Sequence, residues 1–145
     1  MITTFTVRPK NRMKTVFADT SYYIALVNSL DEHHRAAYEF TQDFDGAVVT
    51  TAWIVLELAN CLCRAVNRPF FVSLLRDLQQ DRRVLMVPPT QELCARGLDL
   101  YVNRSDKDWS LTDCISFVVM EEQGLRDALT IDRHFEQAGF GMLLK

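Results

Sequence analysis

Short apolar segments alternate with longer amphipathic ones along most of the chain. Five short segments are apolar on successive residues and rich in Val, Ile and Leu, which is typical of strands covered on both faces; they are residues 15–18, 47–50, 84–87, 127–131 and 141–144. Helical periodicity between them predicts six helices, over residues 20–29, 32–43, 52–66, 69–80, 90–102 and 111–123. This alternation predicts a single α/β domain with a mostly parallel central sheet of about five strands flanked by helices.

Proline and glycine positions support these boundaries. Pro69 stands where the first turn of a helix accepts proline, and Pro88 ends the strand before it because proline lacks a main-chain donor. Gly124 follows the last long helical pattern, where a glycine commonly ends a helix.

Composition places the chain among globular proteins and narrows its partners. Of its 145 residues 48% are hydrophobic and 24% are charged, which suits one ordinary folded domain. The net charge of −3 argues against a strongly electrostatic nucleic-acid binder, but not against an enzyme whose acids are neutralised by metal ions. No apolar run approaches the roughly 18 residues of a membrane span, and no secretory signal opens the chain, so we expect no membrane partner.

The four cysteines form neither a CxxC pair nor a zinc-ligand pattern. We interpret them as reduced thiols and expect a cytoplasmic protein. Positive charge is concentrated at the start, where the first fourteen residues carry Arg8, Lys10, Arg12 and Lys14 without any acid. We expect residues 1–12 to be a mobile basic extension and residues 13–145 to be the domain.

Two aspartates lie at the ends of predicted strands. Asp19 comes just past the first strand, and Asp132 follows the segment 127–131. Ligands of open parallel sheets bind beyond the carboxyl ends of the strands, so these two carboxylates should share one edge. Glu57 lies on the apolar stripe of its helix, and Asp113 lies in the first turn of the helix opened by WSLTD. Four converging carboxylates need cations, and Mg²⁺ or Mn²⁺ with oxygen ligands would serve.

Each acid also has a purely structural interpretation. Asp19 suits the N-cap of a helix starting at residue 20, and Asp132 the N-cap of a short helix over 133–137. Asp113 fits a capping box with Ser110, and Glu57 suits a surface position from which its carboxylate reaches solvent. Only the joint placement of the four acids favours a functional site.

Four segments carry a resemblance to a known family. They read VFADTSYYIAL, VVTTAWIVLEL, DWSLTDCISFVVM and ALTIDRHFEQAGF. In this order the chain resembles the PIN-domain ribonucleases, especially the VapC-like toxins of type II toxin–antitoxin pairs, from about Met13 to its end. The basic extension before Met13 departs from the family pattern.

The resemblance implies metal-dependent endonucleolytic cleavage of RNA with one or two Mg²⁺ or Mn²⁺ ions. The family's catalytic acids, which hold the metal directly or through water, fall on Asp19, Glu57, Asp113 and Asp132. Supporting positions fall on Thr130, Ser21 and Asp108. The resemblance further implies a homodimer and a cognate antitoxin that places an Arg or Lys near the acids.

Rival functions remain open at this point. A metal-free ribonuclease would use His33, His34 or His134, but we expect these side chains to face solvent. A phosphoryl-transfer domain with an aspartyl nucleophile would need a second acid where Ser21 stands. A non-catalytic PIN-like module that binds RNA or protein, or a housekeeping RNA-processing nuclease, are the remaining alternatives.

Overall fold

A computed structural model describes residues 14–144. The expected basic extension over residues 1–12 lies outside the described residues. Within them the chain forms five strands and seven helices in the expected alternation.

The strands form one sheet in which every neighbouring pair is parallel. They are β1 (Thr15–Ala18), β2 (Ala47–Thr51), β3 (Val84–Val87), β4 (Asp127–Leu129) and β5 (Gly141–Met142). Their spatial order is β3-β2-β1-β4-β5, which confirms the predicted α/β class and the five-stranded parallel sheet. The last two strands are each two residues shorter than predicted.

The helices follow the predicted pattern closely. They are α1 (Thr20–Val27), α2 (His34–Asp43), α3 (Ala52–Cys61), α4 (Arg68–Gln80), α5 (Gln91–Asn103), α6 (Leu111–Glu122) and α7 (Arg133–Gln137). The predicted helix 52–66 ends early, at Cys61, because the chain turns before α4 and the Asn67 N–H donates to the Arg64 carbonyl instead. Gly124 has a φ of 65° just after α6, so the predicted helix stop is confirmed.

The hydrophobic core lies around β1, the central strand. Val16, Phe17 and Ala18 are each 0% exposed, which explains why this strand is apolar on every residue rather than on alternate ones. The strands on either side cover its edges, and the helices cover its faces. The strand β1 is therefore covered on both edges and both faces.

The order in which the chain adds strands to the sheet reverses between β1 and β4, although the two strands are parallel. The chain runs from β1 outward to β3, then crosses back to β4 on the other side of β1. Ala18 is paired with Leu129, and the Asp19 N–H continues the ladder by donating to the Leu129 carbonyl at 3.1 Å. Such a reversal opens a crevice at the carboxyl ends of the two strands, the usual ligand position in sheets of this kind.

The short helix α7 is anchored by its aromatic residue. Phe135 is 0% exposed, and its ring centroid lies 4.9 Å from that of Phe117 on α6 and 6.1 Å from that of Phe17 on β1. The Trp109 Nε1–H, just before α6, donates to the Gln137 Oε1 at 3.1 Å. A five-residue helix is not stable by itself, so these contacts determine where α7 lies.

None of the helices over residues 14–144 combines the length and the apolar character that a membrane span needs.

Candidate active site

Asp19 occupies the N-cap position of α1 but does not cap it. Its Oδ2 atom accepts hydrogen bonds from the Thr130 Oγ1 at 2.9 Å and from the Ser21 Oγ at 3.0 Å. The strand register explains the hydrogen bond from Thr130. Ala18 pairs with Leu129, so the residues that follow them, Asp19 and Thr130, also lie side by side. The carboxyl group is thus held across two strands rather than by its own helix.

The two hydroxyl groups also bind the main chain that follows β4. The Thr130 Oγ1 accepts from the Asp132 N–H at 3.0 Å, and the Ser21 Oγ accepts from the Ile131 N–H at 3.2 Å. Each hydroxyl has one hydrogen, which it donates to Asp19, and lone pairs that accept these N–H groups. The segment leading to Asp132 is therefore fastened to the end of β1.

Asp113 lies in the first turn of α6 and forms a capping box with Ser110. The Ser110 N–H donates to the Asp113 Oδ2 at 3.1 Å, and the Asp113 N–H donates to the Ser110 Oγ at 3.0 Å. Asp132 caps α7, with its Oδ1 accepting from the His134 N–H at 2.9 Å. The structural interpretation of these two acids is confirmed, and each still has a second oxygen that receives no hydrogen bond from a side chain of residues 14–144.

Asp113, Asp132 and His134 come together in one group. One ligand atom from each lies within 4.8 Å of the others. Asp19 is connected to this group through Thr130, whose hydroxyl donates to the Asp19 Oδ2 and accepts from the Asp132 N–H. No Lys or Arg between residues 14 and 144 forms an ion pair with Asp19, Asp113 or Asp132.

This donor set fits a hard divalent ion. Carboxylate oxygens are the ligands that Mg²⁺ and Mn²⁺ prefer, and an imidazole nitrogen also suits first-row transition metals. Since the carboxylates have no Lys or Arg partner in the described residues, a cation would relieve their mutual repulsion.

Burial changes the acidity of two of these groups. It raises the pKa of Asp19 from 3.8 to about 6, although the hydrogen bonds from Thr130 and Ser21 act in the opposite direction. Burial also raises the pKa of Asp113, an effect that the Ser110 N–H and His134 partly offset. Negative charge on this site is therefore unfavourable while no cation is present.

The prediction that His134 faces solvent is wrong. Its side chain is only 29% exposed, and its Nδ1 lies 3.0 Å from the Asp113 Oδ2 and 3.4 Å from the Asp132 Oδ1. The physical reason is the cap on α7, which turns the helix back toward α6 with Phe135 buried beneath it. A histidine two residues after a predicted ligand was the available sequence signal.

The other two histidines are half-buried too, although we expected both to face solvent. The His34 Nδ1 lies 2.7 Å from a main-chain carbonyl, that of Ala25. Neither His33 nor His34 belongs to the group formed by Asp113, Asp132 and His134.

Two predicted positions are not joined to this group by a contact. Glu57 is half-buried on α3, a helix that contacts α6, but its carboxyl forms no hydrogen bond or ion pair with residues 14–144. Asp108 is exposed before α6 and likewise has no such contact in that range. Their roles stay predictions.

Comparison with known proteins identifies the relatives of this chain. The PIN domain family profile matches residues 16–141. The 23S rRNA-specific endonuclease VapC20 of Mycobacterium tuberculosis is 26% identical over 125 residues, which are 86% of this chain and 95% of that protein.

Solved structures agree with the sequence comparison. The crystal structure of M. tuberculosis VapC20, described as a Sarcin-Ricin loop cleaving toxin, matches with a TM-score of 0.79 and 26% identity over 86% of this chain and 95% of that one. VapBC2 from Rickettsia felis, bound to a DNA fragment from its promoter, has a TM-score of 0.62 at 8% identity, covering 88% and 96% of the two chains. FitAcB from Neisseria gonorrhoeae has a TM-score of 0.58 at 17% identity, covering 88% and 95%. The last two likenesses concern the fold alone.

The raised pKa of Asp19 predicts how stability changes with pH in metal-free protein. Because the folded state binds this proton more tightly than the unfolded state does, the free energy of unfolding should fall as pH rises from 3.8 to about 6. A shift of this size corresponds to about 3 kcal/mol. Asp19→Asn should therefore raise the free energy of unfolding at pH 7 by on the order of 2 kcal/mol and weaken its pH dependence. Urea unfolding in a chelator at pH 4.5, 5.5 and 7 measures both effects.

Asp77→Asn on the exposed surface of α4 is the matched control, and it should change the unfolding free energy by less than about 0.5 kcal/mol. If Asp19→Asn is less stable than the unmodified chain at pH 7, the buried charge of Asp19 does not lower the free energy of unfolding, and this prediction is wrong.

Proposed function

The chain belongs to the PIN domain family, and we propose that it is a metal-dependent endoribonuclease that acts as the toxin of a toxin–antitoxin pair. One observation carries the proposal. Asp113 and Asp132 lie in one group at the carboxyl edge of the sheet, Asp19 is joined to Asp132 through Thr130, and none of the three acids has a Lys or Arg partner among residues 14–144. A binding module without a catalytic role would have no need for such an unstable arrangement.

The ion required is Mg²⁺ or Mn²⁺, bound singly or as a pair. When bound, such an ion polarises a phosphate oxygen and offsets the negative charge that builds up during phosphodiester hydrolysis. In this assignment Asp19 and Asp132 ligate directly, while Asp113 and Glu57 complete the shell through oxygen or water. These four acids are the catalytic group.

Thr130 and Ser21 are positioning residues. Their hydroxyls donate to one oxygen of Asp19, which leaves its other oxygen for the ion. Because a buried carboxylate that loses such a donor is displaced or protonated, these two groups keep Asp19 charged and correctly oriented. Asp108, which is exposed just before α6, is an accessory acid in this assignment.

The substrate class is RNA. The M. tuberculosis relative is a 23S rRNA-specific endonuclease that this chain matches over 95% of that protein's length, so ribosomal RNA is the first substrate to test. The two alternatives, a PIN-like binding module and a housekeeping nuclease, predict different results in tests of metal binding and of antitoxin binding. A module would show no stabilisation by Mg²⁺ or Mn²⁺ that depends on the four acids, and a housekeeping nuclease would have no cognate antitoxin.

The partner proposed for this toxin is an antitoxin that places a basic side chain among the acids. Arginine suits this position because its donor fork binds a carboxylate through two parallel hydrogen bonds. The M. tuberculosis relative described as a toxin motivates this partner, and the acids, which have no Lys or Arg partner among residues 14–144, give its basic group a place to bind.

We also propose that the protein forms a homodimer. Apolar residues of α3 and α4 divide into two sets: Ile54, Leu58 and Leu74 are buried in the core, whereas Leu56 and Phe70 are 59% and 53% exposed. Val66, in the turn between them, is 71% exposed. Light scattering at micromolar concentration should give twice the mass of one chain, and a clean monomer would contradict the dimer.

Loss of a single acid should abolish most of the cleavage. Asp19→Asn and Asp132→Asn keep the size of the side chain but remove one negative charge each, so RNA cleavage in Mn²⁺ should fall by at least ~10². Gel assays of ribosomal RNA at equal protein concentration measure the effect. Asp77→Asn should cleave as the unmodified chain does, and near-normal cleavage by both acid variants would refute the assignment.

Inhibition by the antitoxin should depend on the metal concentration. Because the ion and the inserted basic side chain compete for the same carboxylate oxygens, inhibition should weaken as Mg²⁺ or Mn²⁺ rises. Changing the inserted residue to Ala should restore cleavage while most of the binding remains. The test follows inhibition and binding separately at several metal concentrations. If inhibition does not change with metal concentration and persists after every basic residue in the antitoxin tail is removed, the inhibitory contact lies away from the acids.

A further inference from the structure

The imidazole of His134 lies between two of the predicted acid ligands. Its Nδ1 is 3.0 Å from the Asp113 Oδ2 and 3.4 Å from the Asp132 Oδ1. The main-chain N–H of the same residue donates to the Asp132 Oδ1, so the ring cannot move far from that carboxyl. Burial of the adjacent Phe135 restrains it further.

The three side chains lie close enough together to share one ion, because one ligand atom of each lies within 4.8 Å of the others. Besides the oxygens that cap the helices, the Asp113 Oδ1 and the Asp132 Oδ2 receive no hydrogen bond from a side chain of residues 14–144. A single ion could therefore be held by the Nδ1 together with one oxygen of each carboxylate.

We propose that His134 is itself a metal ligand, through Nδ1, and that it determines which ion this site prefers. The inference rests on the metal dependence proposed above and adds a nitrogen donor to a site otherwise built from carboxylates. An imidazole suits first-row transition metals, whereas Mg²⁺ strongly prefers oxygen. The ring should therefore shift the preference of the site toward Mn²⁺ and away from Mg²⁺.

A purely structural role for the same ring leads to different expectations. If His134 only donates a hydrogen bond that orients Asp113, the bound ion has oxygen ligands alone and no nitrogen next to it. Removing the ring would then weaken the binding of Mg²⁺ and Mn²⁺ by similar factors. The two roles are separable by spectroscopy and by the ratio of the two affinities.

The experiment uses the full chain and Mn²⁺ as the probe. Electron spin echo measurements on the bound ion should detect magnetic coupling to a ¹⁴N nucleus in the unmodified protein and none in His134→Ala or His134→Asn. The Mn²⁺ dissociation constant of His134→Ala, from titration of the free-ion signal, should rise at least ~10-fold, while the Mg²⁺ constant from competition changes less than ~3-fold. His134→Asn offers an oxygen near the same position and should bind Mg²⁺ at least as well as the unmodified protein.

His33→Asn is the matched control, since His33 is a half-buried histidine outside the group, and it should keep both the coupling and the affinity ratio. Bound Mn²⁺ without nitrogen coupling in the unmodified protein, or equal losses for both ions in His134→Ala, overturns this inference and leaves the proposed function intact. Absence of any Mn²⁺ binding overturns the metal dependence itself, and this inference with it.

Discussion

Hydrogen bonding between β1 and β4 determines where the acids of this site can lie. The two strands are far apart in the sequence, yet their parallel register pairs Ala18 with Leu129 and so sets Asp19 against Thr130. The contact is thus set by a main-chain ladder at the centre of the sheet rather than by a loop. The hydroxyls of Ser21 and Thr130 lie at these two strand ends, and they bind the main chain that leads into α7.

The same arrangement is unfavourable for stability. The Asp19 carboxyl is 5% exposed and has no Lys or Arg partner in the described chain, so burial raises its pKa to about 6 although the hydroxyl donors act in the opposite direction. A salt bridge would have been the ordinary remedy for a buried Asp19. Hydroxyl groups orient the carboxylate without neutralising it, so the charge remains for a cation that comes from outside. Natural sites commonly trade stability for function in this way.

Most of the fold could be predicted from sequence because its signals are local. Strands buried on both faces show continuous apolar runs, and an acid just past such a run lies at the carboxyl edge whatever the rest of the chain does. The convergence of Asp113 and Asp132 was predicted, but the place of His134 beside them was not, because it depends on how α7 packs on α6 through Phe135 and Phe117, a contact without a pattern in the sequence. The partial burial of His134 follows from that packing, so local sequence patterns did not predict it. Helical periodicity placed Glu57 on the apolar stripe of α3, where it is half-buried, but says nothing about which neighbour its carboxyl contacts.

The structural and the functional interpretations of the acids turn out to be compatible rather than exclusive. Asp113 closes a capping box and Asp132 caps α7, roles that by themselves would explain both residues. A carboxylate, however, has two oxygens with about four lone pairs, and a cap uses only part of them. Because capping fixes one oxygen of each group by main-chain donors, the other is oriented before any ligand arrives. The caps therefore preorganise the acids, and a helix start that needs a carboxylate for its own N–H groups also supplies a rigid ligand to the edge of the sheet.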